Sequence, residues 1–244
     1  MTVLTALTAQ NTTGVRAIHP VPTQFIQEQL DAIMEDIPPR AIKIGMINSP
    51  EVAHLLAVFL DKYPTIPAVF DPVMIATSGA KLIQDTTVSL LKETLFPRVD
   101  LITPNLDEAA FLINKNLNSL ADLRFAGETL LNDGAKAVLV KGGHMEGETL
   151  YDYLVDRTDR SETFPGKRID TPNMHGTGCS LSSAIAAYLG RGEGLFEAVA
   201  NAHRYIKGAL DAGKDVSIGA GPGPLNHFFQ PEPLKKTTFL EVKP

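Results

Sequence analysis

The residues best placed to do chemistry are two glycines and a cysteine at the head of an apolar helical stretch. His175-Gly176-Thr177-Gly178-Cys179-Ser180 runs directly into residues 181–189. Glycines there let the backbone approach a ligand closely, and the first turn of the helix offers unpaired N–H groups at the positive end of its dipole. Such a mouth can hold the oxygens of a phosphoryl group in transfer. It can equally be a glycine-rich turn that starts a buried helix. Cys179 lies in that first turn, where a thiol can have a depressed pKa and act as base or nucleophile; a buried, inert cysteine fits the position too. Walker A, Gly-x-Gly-x-x-Gly and protein-kinase signatures are absent.

Three further groups follow short apolar runs. Asp71-Pro72-Val73-Met74 comes after 68–70, and Asp71 could hold Mg²⁺ through water or simply open an Asp-Pro turn. Thr103-Pro104-Asn105-Leu106-Asp107-Glu108 follows in the same way: Asn105 suits a helix cap, with Asp107 and Glu108 favoured in the first turn. Lys141-Gly142-Gly143-His144 puts a cation and two glycines at another strand end, as a phosphate contact or a plain turn. Two acidic strand ends together with the glycine-headed helix point to metal-assisted phosphoryl transfer. Gln10 and Asn11 could offer amide donors and acceptors to a heteroaromatic ring.

These residues need a scaffold, and the hydrophobic pattern supplies one. Residues 3–7, 41–46, 68–70, 101–103 and 137–140 read as strands without apolar–polar alternation, as expected when helices cover both faces. Between them lie helical patterns with start signals. Thr23 is expected to cap a helix with the stripe Ile26, Leu30, Ile33 and Ile37; Ser49-Pro50 opens another; Asp85 precedes 86–95; Ser119 precedes 120–132, with Gly134 just beyond. Helices at 179–189 and 195–212 follow. Strand–helix alternation with short connections implies an α/β fold with a doubly wound, mainly parallel sheet between two helical layers, in a single domain over 1–244. Ligands of such sheets sit beyond the carboxyl ends of the strands, where the residues above fall. The proline-rich stretch from Gly219 is expected to end as surface coil over 229–244.

Composition narrows the function classes. Of 244 residues, 44% are hydrophobic and 20% charged, enough to bury a core, and the net charge of −6 argues against a nucleic-acid binder. A single cysteine excludes an internal disulfide framework and suits a reducing cytoplasm. No apolar run reaches the roughly 18–20 residues that cross a bilayer, and no charged-then-apolar leader opens the sequence.

Taken in order, Thr5-Ala-Leu-Thr-Ala-Gln-Asn-Thr12, Lys43-Ile-Gly-Met46, Asp71-Pro-Val-Met74 with Ala76-Thr-Ser-Gly79, Thr103-Pro-Asn105, Val140-Lys-Gly-Gly-His144, His175-Gly-Thr-Gly-Cys179 and Gly223-Pro-Leu-Asn-His-Phe228 closely resemble the hydroxymethylpyrimidine/phosphomethylpyrimidine kinases of thiamine biosynthesis, in the ribokinase-like superfamily. The resemblance implies an ATP- and Mg²⁺-dependent phosphotransferase. Its substrates would be 4-amino-5-hydroxymethyl-2-methylpyrimidine and then its monophosphate. It places Gln10 on the aminopyrimidine with Met46 and Val73 beside the ring, Asp71 and Glu108 at the magnesium, Asn105 and Lys141 at ATP phosphates, and Gly176, Thr177 and Gly178 in the anion hole. Cys179 stands where many sugar kinases of the superfamily carry an aspartate base. Family members tend to pair, so a homodimer is expected, with no nucleic-acid or membrane partner. The strand and glycine-rich loop that precede the methionine matched by Met1 are not in this sequence, and their loss is expected to leave a sheet edge open. Two other expectations stand beside the first: a pyridoxal kinase of the same branch, and a vitamer-binding protein without turnover.

Overall fold

The computed structural model describes residues 1–47, 49–74, 85–143, 145, 147–231 and 233, with backbone alone at 85–87. The motif at 76–79, His144 and the tail from 234 lie outside the described residues.

The chain opens with a hairpin, β1 (Ala6–Asn11) and β2 (Gly14–Pro20), antiparallel and separate from the main sheet. Its turn is made by Asn11, whose Oδ1 accepts from the Thr13 amide at 2.9 Å and the Thr13 hydroxyl at 2.6 Å. The strand expected at 3–7 is therefore corrected: it begins at Ala6, carries Gln10 and Asn11 within it, and pairs with its neighbour in sequence, the pairing that closes the shortest loop.

Helix α1 (Thr23–Asp36) buries Ile26 and Leu30 as the stripe requires, but Pro22, not Thr23, holds the N-cap position. The Pro22 carbonyl accepts from Phe25 and Ile26, with no side-chain cap. After β3 (Ile42–Ile44), α2 (Pro50–Lys62) starts as expected, with Ser49 Oγ accepting from Val52 N at 3.3 Å. Then come β4 (Ala68–Phe70), α3 (Asp85–Thr94), β5 (Leu101–Ile102) and α4 (Leu106–Ile113). α5 (Leu120–Asn132) carries a reciprocal Ser119–Asp122 capping box, and Gly134 takes φ +112° beyond its end.

β6 (Ala137–Lys141) is followed by an unexpected hairpin, β7 (Thr149–Asp156) and β8 (Ser161–Lys167). Asp156 Oδ1 makes its turn by accepting from Thr158 N, Thr158 Oγ1 and Arg160 N. α6 (Thr177–Gly190) and α7 (Leu195–Gly213) complete the elements.

Strands β3 to β8 form one six-stranded sheet in sequential order, parallel through β6 and antiparallel beyond it. Alternate residues serve opposite faces, as the strand period demands. Phe70, Ile102, Val138, Val140 and Tyr153 pack with α2–α5, whereas Val69, Leu101, Ala137, Leu139 and Leu154 pack with α6 and α7. The expected three layers follow, in a mixed α/β fold. No helix among the described residues is long and apolar enough to cross a membrane.

The stretch after α7 is coil but does not stay on the surface. Leu225 is buried, Asn226 N donates to Ala209 O, and Phe229 packs on Tyr205 with ring centroids 5.7 Å apart. The expected surface tail thus excludes Phe229.

Leu139 is fully buried under α6 and α7. Leu139→Ala is expected to cost about 2–5 kcal/mol in urea unfolding, while loss of a helix cap in Ser119→Ala costs about 1 kcal/mol. Equal effects would show that the α6–α7 layer adds little to the core.

Candidate active site

The parallel strands end side by side, and their last residues converge on Asp71. The ladder continues past β4 as Asp71 N donates to Ile44 O and Thr103 N to Phe70 O, and β6 is kept in step by Lys141 N donating to Pro104 O. This register brings Lys43, Asp71, Thr103 and Lys141 together from β3, the β4 end, the β5 end and β6.

The Asp71 carboxylate is 2% exposed and uses both oxygens. Oδ1 accepts from Lys141 Nζ at 2.9 Å and Thr103 Oγ1 at 3.1 Å; Oδ2 accepts from Ser182 Oγ of α6 at 3.1 Å and lies 3.8 Å from Lys43 Nζ. Burial alone would raise its pKa, but the ammonium groups of Lys141 and Lys43 outweigh that and hold it below the ordinary value. Burial likewise opposes the charge on Lys141, and Asp71 and Glu108 reverse the effect, so that its pKa is raised. Asp71 and Lys141 are a charged pair at neutral pH.

Above this pair sits the mouth of α6. Gly176 holds the N-cap position at φ +83°, a left-handed conformation that favours glycine, and a Cβ there would meet nothing within 4 Å. Gly178 is needed for a different reason: a Cβ there would lie 3.0 Å from Lys141 Nζ. The two glycines divide conformation and closeness between them. Thr177 is removed from the expected set of amide donors, because its N–H donates to Met174 O at 3.3 Å and its hydroxyl to the same oxygen at 3.1 Å. The amides of Gly178 and Cys179 have no protein acceptor among the described residues and point the free end of α6 toward the lysine.

Cys179 is exposed at this mouth. Of the two readings open for its thiol, a depressed pKa is not what the site produces: the protein packed about it and the Asp71 carboxylate push it up, against the pull of Lys43 and Lys141.

Asn105 and Glu108 form the capping box of α4. Asn105 Oδ1 accepts from Glu108 N at 2.8 Å, and Glu108 Oε2 from Asn105 N at 2.8 Å. Of the two readings open for Asn105, the cap is formed. Burial is the main reason that the Glu108 carboxyl is pushed up to about 7, with Lys141 resisting and Asp71 adding to the rise.

For Mg²⁺ the donors fit only one kind of binding. Asp71 has its oxygens committed to two cations and two hydroxyls, and no group of three His, Cys, Asp or Glu side chains suited to a metal exists among the described residues. Asp71 and Glu108 can hold a magnesium ion that keeps its waters and takes its inner ligands from substrate phosphates.

Met46 and Val73 are half-buried close to the cluster: Val73 N donates to Asp71 O at 2.8 Å, and Met46 O accepts from Thr5 Oγ1 at 3.3 Å, which ties the foot of the β1–β2 hairpin to the β3 end. The hairpin tip is fixed too, since Gly221 N donates to Thr12 Oγ1 at 3.2 Å. The segment beyond it reaches α6, with Pro224 pairing with His175. Gln10, two residues from Thr12, is exposed, accepts from Thr8 Oγ1 at 3.5 Å and has no hydrogen bond to the Asp71 cluster. Lys43, Thr103 and Ser182 were not singled out by sequence reasoning. A cation inside an apolar strand and a serine inside the apolar stripe of α6 were the available signals.

Glu108 binds its proton more tightly in the folded protein than at its ordinary value of 4.5. Its stabilising contribution is therefore complete below about 4.5 and lost as pH rises through about 7. Glu108→Gln keeps an acceptor for Asn105 N and removes the titration. In chelator, the variant should gain stability over the parent between these limits, by at most on the order of 3 kcal/mol in urea unfolding. Parallel pH curves would show that Glu108 is not held neutral by burial.

A family model described as phosphomethylpyrimidine kinase matches residues 1–226. The thiamine biosynthesis bifunctional protein ThiED of Geobacter sulfurreducens is 45% identical over 233 residues, covering 96% of this chain and 47% of that protein, so the chain spans about half of that relative's length. The crystal structure of phosphomethylpyrimidine kinase from Clostridium difficile 630 is 40% identical with a TM-score of 0.75, over 86% of each chain. An ADP complex of Bacillus subtilis pyridoxal kinase is 30% identical with a TM-score of 0.84, over 93% of this chain and 85% of that one. With its Asp71–Lys141 pair set under the free amides of a glycine-headed helix, the chain belongs to the phosphomethylpyrimidine kinase family.

Proposed function

We propose that the protein transfers the terminal phosphoryl group of ATP to 4-amino-5-hydroxymethyl-2-methylpyrimidine and then to the monophosphate, in the cytoplasm, as a step of thiamine synthesis. The observation that carries this reading is the juxtaposition of Lys141 Nζ, charged and bonded to Asp71, with the unpaired amides of Gly178 and Cys179. In a loose phosphoryl-transfer transition state, negative charge is spread over the three equatorial oxygens. Two N–H groups and an ammonium ion fixed before the reaction meet that charge without reorganisation. Asp71 keeps Lys141 charged and aimed, and Thr103, Ser182 and Lys43 keep Asp71 ionised.

Bound Mg²⁺ would neutralise charge on the nucleotide phosphates, with Asp71 and Glu108 holding its waters. The Asn105 side-chain amide, its oxygen committed to the cap, retains N–H donors for a phosphate oxygen. Cys179 faces the acceptor hydroxyl. With its pKa raised it stands mainly as the neutral thiol and offers little base, which suits a transfer in which the hydroxyl proton departs late; the second acceptor is a phosphate oxygen and needs less help. Met46 and Val73 flank the pyrimidine, and Gln10, on the hairpin end docked against the 219–221 segment, supplies the paired amide donor and acceptor.

A pyridoxal kinase is the second reading, favoured by the closer backbone overlay with the B. subtilis enzyme. Steady-state kinetics with both acceptors separate the two. A kcat/KM about tenfold or more in favour of pyridoxal, some 1.4 kcal/mol, would overturn the first reading. Absence of ATP turnover with either acceptor would leave only vitamer binding.

Two variants test the site. Gly178→Val pushes a side chain against Lys141 Nζ and should lower kcat about a hundredfold. Gln10→Ala should raise the KM for the pyrimidine about tenfold, the worth of one or two amide hydrogen bonds, and leave the KM for ATP unchanged. Parent-like kinetics in either variant would remove that residue from the site.

A further inference from the structure

Asp152 lies directly across the β6–β7 pairing from Lys141. Its Oδ1 accepts from the Gly142 amide at 2.7 Å. Its Oδ2 lies 3.3 Å from Nε2 of His203 on α7, off the hydrogen-bonding direction, so that this buried ring nitrogen has no hydrogen-bond partner among the described residues. Phe164 of β8 stacks on the same imidazole, centroids 4.9 Å apart and planes within 7°. Gly142 itself has no room for a side chain: a Cβ there would stand 2.1 Å from Tyr151 O and 3.0 Å from Leu123 Cδ1.

The backbone that leaves Lys141 is therefore held by the Asp152 carboxyl, and that carboxyl is packed against the His203 ring of a helix on the far layer. A buried polar contact of this kind, in which burial pushes both the imidazole and the carboxyl toward their neutral forms, seldom adds net stability over apolar packing. What this one does add is a fixed direction for the peptide next to the lysine whose ammonium group meets Asp71 and Gly178.

We propose that Asp152 and His203 are positioning residues for phosphoryl transfer, holding the Lys141–Gly142 strand end in register through the Gly142 amide. This rests on Lys141 facing the phosphates, as in the function proposed above. The contact runs from α7 through Asp152 to Gly142, and the reacting atoms are touched by neither side chain.

Three variants test it. Asp152→Asn keeps an acceptor for the Gly142 amide, Asp152→Ala removes it, and His203→Phe keeps the stack on Phe164 but removes the ring nitrogens. With ATP and the pyrimidine, Asp152→Ala should lose about tenfold to a hundredfold in kcat with the pyrimidine KM unchanged, the size of effect that a misplaced catalytic group produces. Asp152→Asn should recover most of that loss, and His203→Phe should fall between. Calorimetric titration with a non-hydrolysable ATP analogue gives the fraction of competent sites, so a loss due only to fewer folded molecules is recognised and counts against the proposal. Equal losses in Asp152→Asn and Asp152→Ala, or parent-like kcat in Asp152→Ala, would also overturn it. If Asp152→Ala does not fold, His203→Phe decides: reduced kcat beside a near-parental Asp152→Asn supports the proposal, and an unchanged kcat refutes it. A parent protein without pyrimidine turnover would refute the function instead; analogue affinity, weakened in Asp152→Ala and restored in Asp152→Asn, then reads the positioning by itself.

Discussion

A single anion withdrawn from water organises this molecule. An ionised carboxylate as buried as that of Asp71 is tolerated only when its oxygens are occupied by cations and hydrogen-bond donors. Those donors come from the ends of β3, β5 and β6 and from α6, so the cluster can be complete only if four strands are in register and the helix is seated. Removing one partner from such a pair typically costs about 3–5 kcal/mol, because the other is left uncompensated. The demand that keeps the sheet in register also keeps a lysine charged beneath a helix mouth. Fold and site are thus one electrostatic problem with one solution.

The same field sets the state of the groups around it. Glu108 and Cys179 are near the same ammonium group of Lys141, yet both are pushed toward their neutral forms, because burial and the fixed charge of Asp71 outweigh it. Asp71 keeps its charge at their expense. A site holding one strong anion, two lysine cations and two groups poised to be neutral is well matched to an anionic ligand that arrives with its own counter-ion.

Much of the architecture could be read from residue types alone. Apolar runs ending in Asp71, Thr103 and Lys141 mark strand ends, and Ser49-Pro50, Asn105 with Glu108, and Ser119 with Asp122 mark helix starts by local hydrogen bonding that needs no distant partner. The head of α6 is legible for the same reason. What escaped depends on residues far apart in the chain. Lys43 and Ser182 join the site only through strand register and helix docking, 28 and 111 residues from Asp71. The raised pKa of the Cys179 thiol follows from the protein packed about it and from an anion that the helix itself does not contain. The β7–β8 hairpin was passed over although its Asp156 turn is local, and β1 was misplaced although Asn11 signals its turn. β1 and β8 are exposed or partly exposed strands whose apolar pattern is weak, whereas β7 buries Tyr153, Leu154 and Val155. Leu7 and Ile18 on the first hairpin stay open to solvent.

The sequential strand order has a consequence for how the protein is made. Each crossover helix from α2 to α5 lands on one face of the sheet, and the opposite face, bearing Val69, Leu101, Leu139 and Leu154, is covered by α6, α7 and, from the coil that follows them, Leu225 and Phe229. A nascent chain emerging from the ribosome can assemble the first layer while that second face remains bare, waiting for the final third of the polypeptide. The free amides at the head of α6 belong to this late-arriving layer, so the cluster around Asp71 is completed last during synthesis, and a molecule released early would present an oily sheet.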